Sequence, residues 1–445
     1  MSDWLLLFIH GMRAFLDDPL VSEVWIIVFK FVPMIVFFEL PYYVLIFSGI
    51  LRYVMRRREE IPFTPNFFPR VSCIVTCYSE GRDIQLTIRS LAHQLYQGHI
   101  QIIAVLDGAA VNKSTYRAAY EMVHEVASLP ERELTIIPKW QRGGRVSSLN
   151  AGKNVADGDV IMSLDGDSSF DNNMVANSVR HFADDRVVAL SGGLRVRNWR
   201  DSPVAALQGL EYLVSIIGAR TGLSEFNTVN NISGAFGIFR RSFLELLYGW
   251  DSGTAEDLDI TMRLKNYFGR HKELRIIFDP EVMGHTDAPD TLLGYFKQRL
   301  RWDGDLFYMY FRKHWLAFTP RLIGWPNFLV TVLSGLFFQI VTPVLLLFYT
   351  YFLLITAPLW AVMVVMMLVY CFYLVIGVIF YLLTLLFLSG RPEEDKWFLF
   401  LLPLMPIFTL VSRIWSAFAV LWEIVGKAHL DSAMAPHWVL RKGKF

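Results

Sequence analysis

Val160-Ile161-Met162-Ser163-Leu164-Asp165-Gly166-Asp167 places a short β-rich run directly before two carboxylates separated by one glycine. Similar runs recur at residues 71–76, 100–106, 134–137, 187–191 and 275–278. Helical patterns lie between them, as at residues 84–95 and 114–129. Strand and helix alternating in this way predict an α/β unit with a mainly parallel sheet and helices on its faces. Ligands in such sheets bind beyond the carboxyl ends of the strands, so acids immediately after strands mark the site. Asp107, closing Ile-Ile-Ala-Val-Leu-Asp-Gly, is a second acid of this kind.

Outside this unit the composition changes. The chain has 445 residues, enough for roughly three structural units. It is 54% hydrophobic and only 19% charged, with a mean hydropathy of +0.37. That apolar excess exceeds what a soluble core takes up and predicts a membrane part. Residues 24–51 form an apolar run long enough to span a bilayer, which needs roughly 20 helical residues. Arg52, Arg56, Arg57 and Arg58 follow it, and the positive-inside rule puts what comes next in the cytoplasm. Residues 4–16 are too short to span and read as an interfacial helix. A second apolar block splits into residues 328–355, 359–388 and 398–425. Arg413 interrupts the last of these, which is either spanning or interfacial. Three spans from a cytoplasmic start would leave the tail outside, whereas Lys427, Arg441, Lys442 and Lys444 favour the inside. Lys30, Glu39 and Arg413 either pair or snorkel, or face a polar path.

Several classes are excluded. Lys+Arg 42 and Asp+Glu 41 nearly cancel, which argues against a nucleic-acid binder working by bulk charge. Three cysteines give no disulfide framework, and Cys73, Cys77 and Cys371 all read as small buried side chains. Disorder does not fit 35 Phe, 18 Tyr and 13 Trp.

Four places carry the chemistry. Beside Asp107 and the Asp165-Gly-Asp167 pair stands Ala255-Glu256-Asp257-Leu258-Asp259. Acids there also suit a helix N-terminus on dipole grounds alone. The fourth is Gln298-Arg299-Leu300-Arg301-Trp302, at the edge of the C-terminal apolar block. It reads as an interfacial helix whose Gln, Arg and Trp either anchor at the interface or reach a ligand.

In this order the motifs resemble the membrane-integrated family 2 glycosyltransferases: cellulose, hyaluronan, chitin and, most closely, poly-N-acetylglucosamine synthases. The resemblance implies a GT-A-like (nucleotide-diphospho-sugar transferase) cytoplasmic domain inserted between transmembrane helices. It implies an interfacial and membrane part at 1–60, the transferase at 61–288 and an amphipathic interface helix at 289–324. A membrane bundle at 325–426 and a short tail at 427–445 complete it. Carried over, Tyr78 and Glu80 in Thr76-Cys77-Tyr78-Ser79-Glu80 approach the nucleotide, although this loop lacks the family's Pro and Asn. Asp107 and Asp165 contact the nucleotide, and Asp167 holds Mg²⁺ or Mn²⁺. Arg145, where the family often has Lys, and Gln298 with Arg301 meet the phosphates. Asp257 is the general base. Trp302 stacks on the acceptor sugar, and Phe236, in Ser233-Gly234-Ala235-Phe236, belongs to the acceptor segment.

The implied activity is inverting, processive transfer from a UDP-sugar, UDP-N-acetylglucosamine before UDP-glucose, onto a growing β-linked polysaccharide exported through the bilayer. The implied setting is the inner (plasma) membrane, with room for a small accessory membrane subunit. An enzyme adding sugar to a lipid acceptor shares the Gln-x-x-Arg-Trp motif and stays open. So does a transporter or receptor carrying an inactive transferase domain, although Asp107, Asp165, Asp167 and Asp257 are all retained.

Overall fold

The computed structural model describes residues 34–57, 67–251, 254–427 and 429. The interfacial helix expected at residues 4–16, the first part of the 24–51 span, Lys30, Arg58 and the basic tail from Arg441 lie outside the described residues.

Among the described residues the α/β unit is built on one eight-stranded sheet: β1 (Val71–Cys77), β2 (Ile100–Asp107), β3 (Arg132–Lys139), β4 (Val160–Asp165), β5 (Ser169–Phe170), β6 (Val187–Val196), β7 (Phe236–Arg240) and β8 (Arg275–Thr286). Their order is β3-β2-β1-β4-β7-β6-β8-β5. β3, β2, β1 and β4 run parallel, as expected. β7 is antiparallel to both β4 and β6, which makes the sheet mixed. Both faces are covered. Cys73, Val75 and Cys77 pack with Ile84, Ile88 and Leu91 on one side. Ile74, on the other, joins Ile103, Val105 and Leu149. A strand buried on both faces carries no exposed polar alternation, and β1 is buried at every position, Ser72 and Thr76 included.

Sequence patterns missed β7. It is short and enters through Ser233-Gly234-Ala235, a composition that reads as a turn. Its position has a direct consequence. Leu164 pairs with Phe236 in antiparallel register, so the chain entering β7 arrives beside the end of β4 and Asp165.

Among the described residues four helical stretches are long and apolar enough to cross a membrane: Ile35–Arg57, Trp325–Thr356, Leu359–Phe387 and Pro392–Gly426. The last is tied at both ends to the catalytic body. Near its start Asp395 pairs with Arg195 of β6 (Nη1 to Oδ2, 3.0 Å). Near its finish Glu423 lies 3.4 Å from Arg312, just beyond the interface helix Leu292–Tyr308. Between them Trp415 Nε1 donates to the Phe296 carbonyl across 2.8 Å.

The Ile35–Arg57 helix docks on a helical floor formed by Pro203–Glu211, Tyr212–Ala219 and Arg220–Ser224. At their crossing, Gly49 and Gly222 let the two backbones touch; a Cβ on either would overlap the partner main chain. Arg56 clamps the end of this contact onto Glu225. Cys73 and Cys77 are buried as expected, but Cys371 is exposed on Leu359–Phe387. The reason is physical: an apolar membrane helix faces lipid on one side, so hydrophobic neighbours do not imply burial within the protein.

Candidate active site

The carboxyl ends of β1, β2 and β4 converge, as the parallel arrangement requires. One cavity of about 1530 Å³ starts there and brings together Arg145, Asp165, Asp167, Asp257, Arg301 and Trp302. Gln298 lines it as well, with its Oε1 buried and unpaired. The cavity then continues between the apolar helices, past Tyr42, Phe338, Met366, Tyr373 and Arg413.

Asp257 sits at the start of the helix Glu256–Lys265. Ala255 before it is left-handed, at φ +45°, a conformation that costs a non-glycine residue about 1–3 kcal/mol. The turn aims Asp257 back at the sheet. Its Oδ2 accepts from Asn231 Nδ2 (2.9 Å) and from the Gly234 amide (3.1 Å). Its Oδ1 accepts from the Leu258 amide at 2.7 Å. No arginine or lysine pairs with this carboxylate among the described residues.

Arg145, the second residue of the helix Gly144–Val155, is the hub. Its Nε donates to Glu256 Oε1 (2.5 Å), its Nη2 to the Gly234 carbonyl (2.6 Å), and its Nη1 to Thr76 Oγ1 (2.9 Å) and to Asp165. Burial alone would lower the Arg145 pKa, but Asp165 and Glu256 carry it above the ordinary arginine value. Arg145, which also lines the cavity, thus ties four segments of the site together.

Asp107 is buried, and its carboxylate is spent on the same loop. Oδ1 accepts from Lys139 Nζ (2.8 Å) and the Gly143 amide (2.7 Å), and Oδ2 from the Gly144 amide (2.9 Å). It shapes the Gly143–Gly144 turn from below and does not line the cavity. Tyr78 is exposed and does not line the cavity; the Arg142 guanidinium lies 4.1 Å over its ring. Phe236 departs furthest from expectation. It is 0% exposed and packs on Phe170 in the core. Period two in β7 turns Phe236 and Ile238 inward together, so the cavity is lined instead by Ser233, Gly234 and Ala235.

The carboxylates are crowded. Burial first, and then the Asp165 charge, raise the pKa of Asp167. Burial, with Asp167 and Asp165 adding to it, likewise raises Glu80, whose Oε2 is buried without a partner. This electron-rich corner fits a divalent cation. Among the described residues no three His, Cys, Asp or Glu side chains form a metal-holding group. An ion would thus rest on Asp167 and on substrate oxygens, as Mg²⁺ sites commonly do.

Trp302 presents one face to the cavity, while the Arg299 guanidinium lies 5.0 Å over its ring and bonds Glu211 at 2.6 Å. Arg301 makes no hydrogen bond or ion pair among the described residues. His285 is structural, bonded to Asp171 Oδ1 at 2.8 Å. Asn231, Arg220 and Asp305 line the site without having been singled out in the sequence. Asn231 sits in a polar loop and Arg220 in an amphipathic helix, where neither carries a spacing signal.

A mixed sheet with acids at the parallel strand ends and an interface helix across its mouth has the GT-A-like fold, and the protein is a glycosyltransferase. More specifically, the chain belongs to the glycosyltransferase-like family 2, whose family model matches residues 69–304. It is 26% identical over 259 residues to the poly-beta-1,6-N-acetyl-D-glucosamine synthase of Staphylococcus aureus strain COL, covering 58% of each chain. It is 27% identical over 235 residues to the Staphylococcus epidermidis protein of that name, covering 52% of this chain and 53% of that one. The matched part thus spans little more than half the length of these curated relatives. In structure it resembles the mannosyltransferase PcManGT of Pyrobaculum calidifontis, solved with GDP-Man and Mn²⁺. That likeness has a TM-score of 0.52 at 18% identity and covers 87% of this chain and 98% of that one.

Proposed function

We propose that this glycosyltransferase is an inverting, processive β-polysaccharide synthase that uses a UDP-sugar, UDP-N-acetylglucosamine before UDP-glucose. One observation carries the reading: the cavity holding Asp165, Asp167 and Asp257 is also lined by residues of the apolar helices, among them Tyr42, Phe338, Met366 and Tyr373. A single-sugar transfer needs no such extension, whereas a hydrophilic polymer needs a sheltered route across lipid. The similarity to poly-N-acetylglucosamine synthases supports the choice of sugar.

The chemistry follows from the residues. The acceptor oxygen attacks the anomeric carbon as the bond to the diphosphate oxygen breaks, and the electron pair leaves with UDP. Asp257 takes the acceptor proton, held in aim by Asn231 and the Gly234 amide. Its contribution is about 10²–10⁴ in rate. Attack from the face opposite the leaving group, with no covalent intermediate, converts an α-linked donor to a β-linkage. Arg301, which makes no hydrogen bond or ion pair among the described residues, stands ready for the diphosphate, and Gln298 lines the same space. A divalent ion on Asp167 supplies charge neutralisation at the leaving group when bound. Trp302 offers an apolar platform for the acceptor ring. In this reading the catalytic unit is cytoplasmic and the apolar helices lie in the inner membrane.

The test is to reconstitute the full chain in vesicles with Mg²⁺ or Mn²⁺ and each common UDP-sugar, following UDP release and product size. A long, glycosidase-sensitive polymer from one donor, abolished by Asp257→Asn, is the expected result. UDP release yielding only a short glycolipid would replace the polymer reading with a lipid acceptor.

A further inference from the structure

The helical floor beneath the catalytic unit carries one cation that the foregoing chemistry leaves unused. Arg220 follows the π-wound turn Tyr212–Ala219 and lines the transfer cavity with Asp257 and Asn231. Its Nη1 has no solvent contact and no partner. Among the described residues its guanidinium makes no hydrogen bond or ion pair. Burial lowers its pKa, with the Asp257 charge the main opposing influence. Arginine does not escape burial by losing its proton, so an unpaired guanidinium costs free energy until a ligand meets it.

Which ligand follows from its place. The donor carboxylates Asp165 and Asp167 stand at the end of the parallel strands. Arg220 belongs to a different element, the floor that packs against the Ile35–Arg57 helix. Asp257 lines the same cavity and makes no ion pair with a cation among the described residues. A group bridging Asp257 and Arg220 therefore offers a proton to the first and lone pairs to the second. A pyranose has both, since each ring carries neighbouring oxygens that a planar guanidinium fork can meet together.

We propose that Arg220 is an acceptor-binding residue: its fork holds vicinal oxygens of the terminal acceptor sugar, so that the attacking hydroxyl rests against Asp257. This rests on the reading of Asp257 as the base.

The experiment uses the full chain in vesicles, with UDP-N-acetylglucosamine as donor and a β-linked N-acetylglucosamine pentaose as acceptor, comparing wild type, Arg220→Lys and Arg220→Gln. Hydrogen bonds to a charged group predict an acceptor KM raised about tenfold or more in Arg220→Gln. The donor KM and the slow acceptor-free hydrolysis of donor stay close to wild type, and Arg220→Lys recovers part of the loss. A donor KM that rises as much as the acceptor KM, or no change in either, overturns the proposal. Should the variants fail to fold, phenylglyoxal labelling of the wild type decides. Protection of Arg220 by the pentaose but not by UDP supports the proposal, and protection by UDP alone or by neither refutes it. A wild type that releases no UDP with any donor instead sinks the transferase reading of Asp257, and this inference with it.

Discussion

Arg145 Nε and Glu256 Oε1 meet at 2.5 Å although 111 positions separate them in the chain. This contact joins the turn under Asp107 to the helix that presents Asp257. Both side chains are largely buried, at 11% and 6% exposure. Arg145→Ala would leave Glu256 charged and unpaired, and losing one partner of a buried pair costs about 3–5 kcal/mol. Thermal unfolding should register that loss. Arg145→Lys keeps one charge but cannot reach four partners, so its melting temperature should fall between those of wild type and Arg145→Ala.

Asp257→Asn preserves the shape and the contact with the Leu258 amide while removing the base. Turnover should drop about 10²–10⁴-fold. Binding of UDP, measured calorimetrically, should be unchanged. Equal losses in both would instead place Asp257 among the donor contacts.

Asp305 gives the site a pH dependence. Burial raises its pKa to about 7; a hydrogen bond with Thr254 and the Arg301 charge oppose this, while Glu423 and Asp257 reinforce it. The unfolded value is about 3.9, so the folded chain holds an extra proton between the two values. Stability is therefore full below about pH 4 with respect to this group and declines as pH rises through about 7. Asp305→Asn mimics the neutral acid. The fall in melting temperature between pH 5 and pH 8 should flatten in this variant, and an unchanged slope would assign the effect elsewhere.

The anchoring of both Asp395 and Glu423 to the catalytic body predicts that Pro392–Gly426 enters and leaves the bilayer on one side. In a Cys371→Ser background, a cysteine replacing Lys427 should label from the same side as one replacing Lys113. A cysteine at Ala357, in the link between two apolar helices, should label from the other. Labelling of position 427 from the Ala357 side would show that the segment crosses.

β2 and β4 were legible because each is buried along nearly its whole length and ends on an acid, a pattern that needs no tertiary knowledge. β7 was not, since its five residues follow a glycine-rich turn and pair only with distant strands. The same gap misplaced Phe236, whose inward direction is fixed by a strand the sequence did not reveal. Asp165, Asp167, Asp257, Gln298, Arg301 and Trp302, singled out by motif spacing, line one cavity. Spacing could not distinguish a side chain that faces the cavity from one that supports the loop beside it. Asp107 is a support in this structure, its oxygens turned to protein donors, whereas Arg145 lines the cavity while bonding protein partners. Arg220 carries no motif at all, because its significance lies in lacking a partner, a property only packing defines.

The contact of Gly49 with Gly222 predicts that the enzyme responds to the thickness of its bilayer. A thicker or thinner membrane changes the tilt of a spanning helix. Where two helices meet through side chains, rotamer shifts absorb such a change. At Gly49 and Gly222 the main chains meet directly, so a tilt of the Ile35–Arg57 helix would pass from backbone to backbone into the segment bearing Arg220, two residues away. Lipid composition would thereby act on the geometry of sugar transfer without any lipid entering the site.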